Sequence, residues 1–313
     1  MDKIIFNKKT DKIAIIAPAS GCSDAKNKLQ KAVELLESNG FQCQYDWNIL
    51  SENAGVSYFA SSKEQRILEL KDALLDPKVK IIWAFRGGYG ASEMIFDFID
   101  INQQLISNLK PKSKIIIGFS DITVLLIFFL QNLKMSAIHG PVINSLIEKQ
   151  PKMLDPIISV LSGNDMSFDL KPLNIRANSD LIKIQGSIVG GNLAVICHMI
   201  GSKLQLETSG KIVFLEDVNE KGYQIHRYLM QMKNAGLFDK ARALILGDFS
   251  SSDNNLADSL QYFCKECYTP VFRAQGIGHT EMNYPIVVGS RAYIRKNLNK
   301  VQLTIKSNFE LLC

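Results

Sequence analysis

The segment from Lys114 to Leu130 constrains the fold more than any other part of the chain. Its first residues are rich in isoleucine, which predicts a buried strand, and its last residues are apolar throughout, which predicts a buried helix. Ser120 stands in the short turn that joins them. A strand, a sharp turn and a helix in this order expose a hydroxyl above the end of a parallel sheet and direct helix amides toward it.

Two roles are open to Ser120. A nucleophilic serine at such a turn usually lies in the pattern G-x-S-x-G, whereas here Gly118-Phe-Ser-Asp is followed by Ile122. Serine and aspartate also satisfy the free amides at helix N-termini, so Ser120 and Asp121 are equally typical of a helix cap. The turn alone favours the cap, and the choice depends on the rest of the chain.

Strands and helices alternate over the first half of the chain. The predicted strands cover residues 12–18, 42–47, 79–85 and 114–117, and the predicted helices cover residues 24–39, 62–75 and 91–99. This alternation is typical of a parallel sheet with helices on both sides. We therefore predict an N-terminal α/β domain over residues 1–150 that carries the candidate nucleophile.

The second half of the chain has a different pattern. Residues 151–178 are rich in proline and turn residues, and predict a linker with one short helix from Met153 to Leu161. Beyond it, residues 179–313 predict a β-rich domain with strands at 183–189, 211–215, 243–247, 285–288 and 301–305 and helices at 224–235 and 255–268.

Composition limits the classes of partner. The formal net charge of +5 on 313 residues is modest and the lysines are scattered, so we expect no nucleic-acid partner. The longest apolar run, Ile122–Leu130, is about half of the ~20 residues that a membrane span needs, so we expect no membrane insertion. Residues 13–19 resemble a short signal peptide, but acidic residues precede them and a first strand explains them better. We expect a cytoplasmic protein.

The cysteines do not predict a disulfide framework or a metal site. The six cysteines are dispersed, and the C-x-x-C pair Cys264 and Cys267 lies in a predicted helix without a second pair or a histidine cluster. We therefore expect free thiols, no metal and no cofactor.

A glycine-rich turn follows the strand that ends near Phe85. The sequence Arg86-Gly-Gly-Tyr-Gly-Ala fits neither a dinucleotide fingerprint nor a P-loop. Glycines here allow close approach of backbone amides to a reacting carbonyl, which is the requirement of an oxyanion hole, although a plain tight turn explains them as well. We assign the amides of Gly88 and Asp121 to the oxyanion, and Arg86 and Tyr89 to substrate binding.

Carboxylates and a histidine complete the candidate residues. Glu216 and Asp217 end a buried strand, where at least one of them needs a specific partner; a helix cap or an ion pair with Arg227 is the alternative. His279 lies in a glycine-flanked loop, which suits a catalyst. His139, predicted in a loop before Gly140-Pro141, is its rival. His198 is expected to pack in the core.

Several short motifs, taken together, resemble the LD-carboxypeptidase family of serine peptidases, which includes the microcin C self-immunity peptidases. They occur in family order over nearly the whole chain. The motifs are Ile16-Ala-Pro-Ala-Ser20, Arg86-Gly-Gly-Tyr-Gly90, Gly118-Phe-Ser-Asp121, His139-Gly-Pro141, Gly190-Gly-Asn192, Leu215-Glu-Asp-Val218 with Tyr223 and Arg227, and Gly278-His279. The loop after His279 departs from the family, because Thr280 stands where many members have glycine.

The resemblance implies a catalytic triad of Ser120, Glu216 and His279, with the nucleophile on one domain, the other two residues on a second, and the active site between them. It also implies a flavodoxin- or Rossmann-like parallel-sheet domain followed by a mixed domain built around a β-barrel-like sheet. Family members remove the terminal D-alanine from murein tetrapeptides during cell-wall recycling, many of them as cytoplasmic homodimers.

The predicted function is that of a metal-independent serine carboxypeptidase that cuts the L,D-amide bond of a murein tetrapeptide. Two alternatives stay open. The first is an amide hydrolase that inactivates a peptidyl-nucleotide antibiotic, as the microcin branch does. The second is a non-catalytic two-domain protein that binds a small molecule, in which the glycine turn holds an anion.

Overall fold

The computed structural model describes residues 3–47, 58–111, 113–148, 151–178, 183–297 and 300–312. These residues form two compact units. Unit 1 comprises Met1–Gly163 together with Asn308–Cys313, and unit 2 comprises Asn164–Ser307. Within the described ranges, no helix is both long enough and apolar enough to cross a membrane.

Strands occur in both units and at both ends of the chain. They are β1 (Ile4–Asn7), β2 (Lys12–Ile16), β3 (Gln42–Gln44), β4 (Val79–Ala84), β5 (Ile115–Gly118), β6 (Ser136–His139), β7 (Met166–Pro172), β8 (Lys183–Asn192), β9 (Ile212–Val218), β10 (Ala243–Ser250), β11 (Val271–Arg273), β12 (Ile286–Val288), β13 (Arg291–Asn297), β14 (Lys300–Ile305) and β15 (Phe309–Leu312).

The α-helices separate most of the strands of unit 1 and recur in unit 2. They are α1 (Ala25–Ser38), α2 (Lys63–Leu75), α3 (Ala91–Ile101), α4 (Gln103–Asn108), α5 (Thr123–Gln131), α6 (Ile143–Glu148), α7 (Leu154–Leu161), α8 (Leu193–His198), α9 (Gly222–Asn234) and α10 (Leu256–Glu266).

Unit 1 contains a parallel sheet with the neighbouring strands in the order β6-β5-β4-β2-β3. Helix α1 packs against α6, and α3 packs against α2 and α5. Residues Thr123–Phe129 of α5 are all buried, as expected for a helix that is apolar on every side. The parallel sheet predicted from the strand–helix alternation is therefore confirmed.

Unit 2 is built around a closed barrel with strand order β10-β11-β7-β14-β13-β8-β9. Its strands pair in both senses: β8, β9, β10 and β11 are parallel neighbours, whereas β7, β13 and β14 pair antiparallel. The barrel-like sheet that the resemblance implied is confirmed.

The stretch 151–178 contains more structure than a linker with one helix. Helix α7 is present, but β7 follows it and pairs with β14 and β11 in the barrel. The prolines and the turn at residues 162–165 conceal a period-two pattern in which Phe168 and Leu170 are buried while Ser167 and Asp169 are exposed. Asp180 and its neighbours, at residues 179–182, lie outside the described residues.

The chain ends also form structure that the sequence pattern did not reveal. Strand β15 at the C-terminus pairs in parallel with β1 at the N-terminus, with Phe6 opposite Leu311. Both strands are only four residues long, which is too short for a clear periodic signal. The two strands pair with each other, and α7 also packs against β15.

The barrel depends on close backbone approach at Gly190 in β8. We predict that Gly190→Ala lowers the free energy of unfolding by at least ~3 kcal/mol, because the new Cβ would lie 1.8 Å from the carbonyl oxygen of Phe214 in β9. Gly201→Ala is the matched control: Gly201 also has a positive φ, of 82°, but nothing lies within 4 Å of a Cβ there, so only about 1 kcal/mol should be lost. Chemical denaturation measures both, and equal losses would contradict the steric argument.

Candidate active site

Ser120 occupies a strained turn at the end of β5. Its φ is 61°, in the left-handed region that a residue with a side chain rarely adopts, and a short 3-10 turn, Ser120–Ile122, leads directly into α5. Ile122 replaces the second glycine of the usual elbow pattern. The Ile122 side chain fills the space next to Gly118, since a Cβ built on Gly118 would lie 2.6 Å from Ile122 Cγ2. The backbone therefore has the strain of a nucleophile elbow without its full sequence pattern.

Asp121 caps a helix other than its own. Its Oδ2 accepts a hydrogen bond of 2.8 Å from the amide of Ala91, the first residue of α3. Burial raises the pKa of this carboxyl to about 6, and the hydrogen bond from the Ala91 amide and the Arg66 charge partly oppose that rise. The Asp121 side chain thus ties the serine turn to the glycine-rich turn.

The glycine-rich turn lies against Ser120. A Cβ on Gly87 would lie 3.0 Å from Ser120 Cβ and 3.3 Å from Ser120 Oγ, so a side chain there would be tightly packed against Ser120. Gly88 has a φ of 101°, and a Cβ there would collide with Ser20 Oγ. This contact places the predicted oxyanion turn next to the candidate nucleophile; the role of the Gly88 and Asp121 amides stays a prediction.

The two residues predicted to bind substrate have different surroundings. The guanidinium of Arg86 donates a hydrogen bond to the carbonyl oxygen of Gly21. Tyr89 is about half exposed, and its ring stacks on Phe59 with 6.0 Å between the ring centroids. Tyr89 is thus the more accessible of the two, and their assignment to substrate stays a prediction.

Unit 2 brings together Glu216 and His279. Glu216 lies in β9 and is completely buried, and its Oε2 is 2.9 Å from Nδ1 of His279. A carboxylate can only accept, so Nδ1 donates the proton and Nε2 is left as the basic nitrogen of the neutral imidazole. Gly278 permits this contact, because a Cβ at that position would lie 2.4 Å from Glu216 Oε2. The arrangement can orient an imidazole for general base catalysis.

The neighbouring carboxylate, Asp217, has a structural partner set. It accepts hydrogen bonds from the side chain of Asn192 and the amide of Ala194, both at 2.9 Å, and so caps α8. Arg227 stacks over the ring of Tyr223 at 5.4 Å. Of the two acidic residues that the sequence left open, Glu216 is therefore the one that contacts the histidine.

Residues that sequence reasoning missed hold the His279 loop. Asp248 at the end of β10 accepts hydrogen bonds from the amides of Gly276 and Ile277, at 2.7 and 3.1 Å. Ser250 Oγ donates a 2.7 Å hydrogen bond to the carbonyl oxygen of His279. The sequence did contain a sign of Asp248, because this residue follows an apolar run of a strand as Glu216 does. No sequence pattern, however, indicates that Asp248 contacts residues 276–279.

Two expectations about other histidines were wrong. His139 is not in a loop but is the completely buried last residue of β6, where its ring meets Phe119 edge to face at 6.0 Å. His198 is exposed at the end of α8 and not packed in the core, because Leu193, Ile196 and Cys197 form the inward side of that short helix.

The cysteine pair is buried. Cys264 and Cys267 carry free thiols, and burial raises the pKa of Cys264 to about 12. In the described part of the chain, no group of three or more His, Cys, Asp or Glu side chains could hold a metal ion.

A serine elbow on a parallel sheet and a buried Glu–His pair on a barrel are features of a hydrolase. The family model of the LD-carboxypeptidase N-terminal domain matches residues 13–140, and that of the LD-carboxypeptidase C-terminal domain matches residues 185–294. The chain therefore belongs to the LD-carboxypeptidase family, and it is a carboxypeptidase of that family by sequence.

Individual relatives agree with this assignment. A relative from Rickettsia conorii is 34% identical over 296 residues, which are 92% of this chain and 89% of the relative. The murein tetrapeptide carboxypeptidase of Pseudomonas aeruginosa is 28% identical over 302 residues, 91% of this chain and 94% of that protein. The microcin C7 self-immunity protein MccF of Escherichia coli is 26% identical over 254 residues, 71% of each chain.

A solved structure shows the same fold. The crystal structure of muramoyltetrapeptide carboxypeptidase from Oxalobacter formigenes superposes with a TM-score of 0.78 at 27% identity, covering 94% of this chain and 98% of that one. Its likeness extends over both units, so the fold assignment does not rest on one of them.

The buried Asp217 predicts a pH-dependent stability. Burial raises its pKa from the ordinary value of 3.8 to about 6, so between these values the folded state binds more protons than the unfolded state. The charged form then costs roughly 2–3 kcal/mol above pH ~7, and this cost is relieved as the pH falls. The wild type therefore gains stability from this group as the pH falls, and Asp217→Asn cannot. The free energy of unfolding that Asp217→Asn loses relative to the wild type should be larger at pH 5 than at pH 7.5.

Urea denaturation of the wild type and the variant at both pH values measures this difference. The exposed Asp239→Asn in the same unit is the matched control and should change stability equally at the two pH values. A destabilisation by Asp217→Asn that does not grow toward pH 5 would show that the carboxyl is not shifted upward.

Proposed function

We propose that this protein is a serine-type carboxypeptidase in which Ser120, His279 and Glu216 act as a triad. The observation that carries the proposal is the 2.9 Å hydrogen bond between His279 and the completely buried Glu216. A buried carboxylate fixes one imidazole nitrogen as donor and leaves the other as base, which is the requirement for activating a serine hydroxyl. The strained elbow at Ser120 is the matching feature of unit 1.

The chemistry of each residue follows from its position. In the first step, Ser120 Oγ attacks the carbonyl carbon and its proton passes to Nε2 of His279, while Glu216 stabilises the imidazolium. The oxyanion accepts hydrogen bonds from the amides of Gly88 and Asp121. The imidazolium then protonates the leaving amine. Water attacks the acyl-enzyme next: His279 takes a proton from the water and returns it to Ser120 Oγ as the acid product leaves. No step uses a metal ion.

The proposed substrate is a murein tetrapeptide, and the product is its terminal D-alanine. The murein tetrapeptide carboxypeptidase relative supports this choice, because it aligns over 91% of this chain, whereas MccF aligns over 71%. Cleavage of a peptidyl-nucleotide is the second candidate, which the likeness to MccF favours. A non-catalytic binding protein would not need the buried Glu216–His279 pair. The expected homodimer and the cytoplasmic location stay predictions.

The first functional prediction concerns Ser120. Ser120→Ala should lower kcat by more than about 1,000-fold, since loss of a nucleophile removes the covalent step. The free energy of unfolding should change by no more than about 1 kcal/mol. The assay is mass spectrometry of the products from a defined murein tetrapeptide. Free D-alanine from the wild type supports the murein substrate, whereas turnover of a peptidyl-nucleotide only would select the second candidate.

The control for this assay is labelling of the wild type by a serine-reactive fluorophosphonate probe. The label should map to Ser120 and be absent from Ser120→Ala. A purified Ser120→Ala protein that keeps more than a few per cent of wild-type turnover would overturn the nucleophile assignment.

The second functional prediction concerns the base. His279→Ala and Glu216→Ala should both lose most activity, and the double variant should be little worse than the worse single one, because an orienting residue has no effect without its base. His139→Ala should change stability, through loss of a buried ring, and spare more of kcat. Steady-state kinetics and thermal melting separate the two effects. If His279→Ala kept nearly full activity while His139→Ala was inactive, the proposed triad would be wrong.

A further inference from the structure

Arg66 is a buried charge on α2 that the catalytic proposal does not use. Only 1% of the Arg66 residue is exposed. By contrast, Glu64 on the same amphipathic helix faces solvent. Burying a guanidinium costs several kcal/mol unless it is paired and hydrogen-bonded, and a methionine or leucine would fill a core position without this cost. A role for its charge and its donors is therefore required.

The donors of Arg66 converge on the two loops beside the nucleophile. Nη1 donates to the carbonyl oxygen of Pro18 at 3.1 Å and to that of Gly90 at 2.8 Å. Nη2 pairs with Glu93 in α3 at 2.8 Å, and the guanidinium lies 4.3 Å from the centroid of the Phe59 ring. One side chain thus joins α2, α3, the loop before Ser20 and the glycine-rich turn.

The glycine-rich turn is shaped around this guanidinium. Gly90 has a φ of 133°, and a Cβ on it would lie 2.8 Å from Arg66 Nη1 and 2.9 Å from Phe59 Cδ1. Glycine at this position therefore serves the approach of the arginine as well as the backbone conformation.

A single peptide group is held from both sides. The carbonyl oxygen of Gly90 accepts from Arg66, and the N–H of Ala91, the other end of the same peptide group, donates to Asp121 at 2.8 Å. Because a peptide group is planar, fixing its oxygen and its hydrogen fixes its orientation. One anchor comes from α2 and the other from the residue that follows Ser120.

Ser20 restrains Tyr89, the residue before Gly90, through the two peptide groups that flank it. Its Oγ accepts from the amide of Tyr89 at 2.9 Å and lies 3.2 Å from the carbonyl oxygen of Tyr89, to which it donates. The amide of Ser20 also donates to the carbonyl oxygen of Gly87, at 3.2 Å, which belongs to the same peptide group as the Gly88 N–H. The loop that carries Ser20 is contacted by Arg66 at Pro18, so Arg66 is one of the anchors of the loop that restrains residues 87–89.

We propose that Arg66 is a positioning residue that sets the orientation of the Gly88 amide for the oxyanion. The proposal rests on the function proposed above, because it assigns Arg66 to the oxyanion turn of that same site. Arg66 touches no reacting atom; it acts through the Gly90 carbonyl and the loop at Pro18. Misorientation of an oxyanion donor affects the transition state more than the bound substrate, so the effect should fall on kcat.

The test compares Arg66→Lys and Arg66→Met with Lys63→Met. Lys63 is the matched control, since it lies on the same helix and pairs with the same Glu93, at 2.8 Å, but does not contact the turn. Lysine keeps the charge but cannot reproduce the fork that bonds two carbonyl oxygens and a carboxylate together. We expect both Arg66 variants to lose about 10–100-fold in kcat with KM changed less than about threefold, and Lys63→Met to be unchanged.

A second readout separates positioning from a general loss of structure. The affinity for a peptide boronate, whose tetrahedral adduct uses the oxyanion donors, should fall in the Arg66 variants by the same factor as kcat. The affinity for the tripeptide product should not change. An unchanged kcat and boronate affinity, or a loss that appears mainly in KM, would overturn the proposal.

Two further measurements keep the outcome decisive. If the Arg66 variants do not fold, as judged by circular dichroism, Glu93→Gln removes the carboxylate that pairs with Arg66 Nη2 without changing a residue of the turn, and should lower kcat selectively. Turnover by Ser120→Ala would defeat the proposed function itself. If Ser120→Ala is inactive but the Arg66 variants keep full activity, only the role proposed for Arg66 is wrong.

Discussion

The buried carboxylate of Glu216 is the constraint on which the site in unit 2 depends. A charge that is fully removed from water needs a partner. His279 supplies it by donating from Nδ1, and this contact in turn requires glycine at position 278. The buried carboxylate of Glu216 therefore orients the imidazole and requires glycine as the residue before the histidine.

Three more carboxylates satisfy the same need with backbone amides. Asp121 caps α3, Asp217 caps α8, and Asp248 holds the amides of Gly276 and Ile277. Each stands at or just after the end of a buried strand. A carboxylate at such a position accepts hydrogen bonds from the free amides of the neighbouring turn. Asp121 and Asp248 each hold a loop that bears a candidate functional residue, whereas Asp217 holds the start of α8. The loops are thereby rigid enough to present a side chain to a substrate.

Much of the fold could be predicted from periodicity. The parallel sheet of unit 1 follows from apolar strands that alternate with amphipathic helices, and α5 follows from a run that is apolar on every side. The pairing of β1 with β15 could not be predicted, because it depends on contact between segments about 300 residues apart. Strand β7 was concealed by prolines and turn residues, although its alternation is plain once Phe168 and Leu170 are seen to face inward.

Local sequence was enough to establish that Ser120 follows a buried strand, that an acidic pair ends another and that His279 lies between glycines, since each is a matter of neighbours along the chain. The residues alone left Glu216 and Asp217 open and the family resemblance named Glu216; the folded chain shows that Glu216 contacts the histidine. Only the folded chain showed that Asp121 caps α3 instead of its own helix. Arg66 gave no signal in the sequence, because an arginine in an amphipathic helix is ordinarily solvated. Its role arises from burial against loops 24 and 48 residues away, which no local pattern encodes.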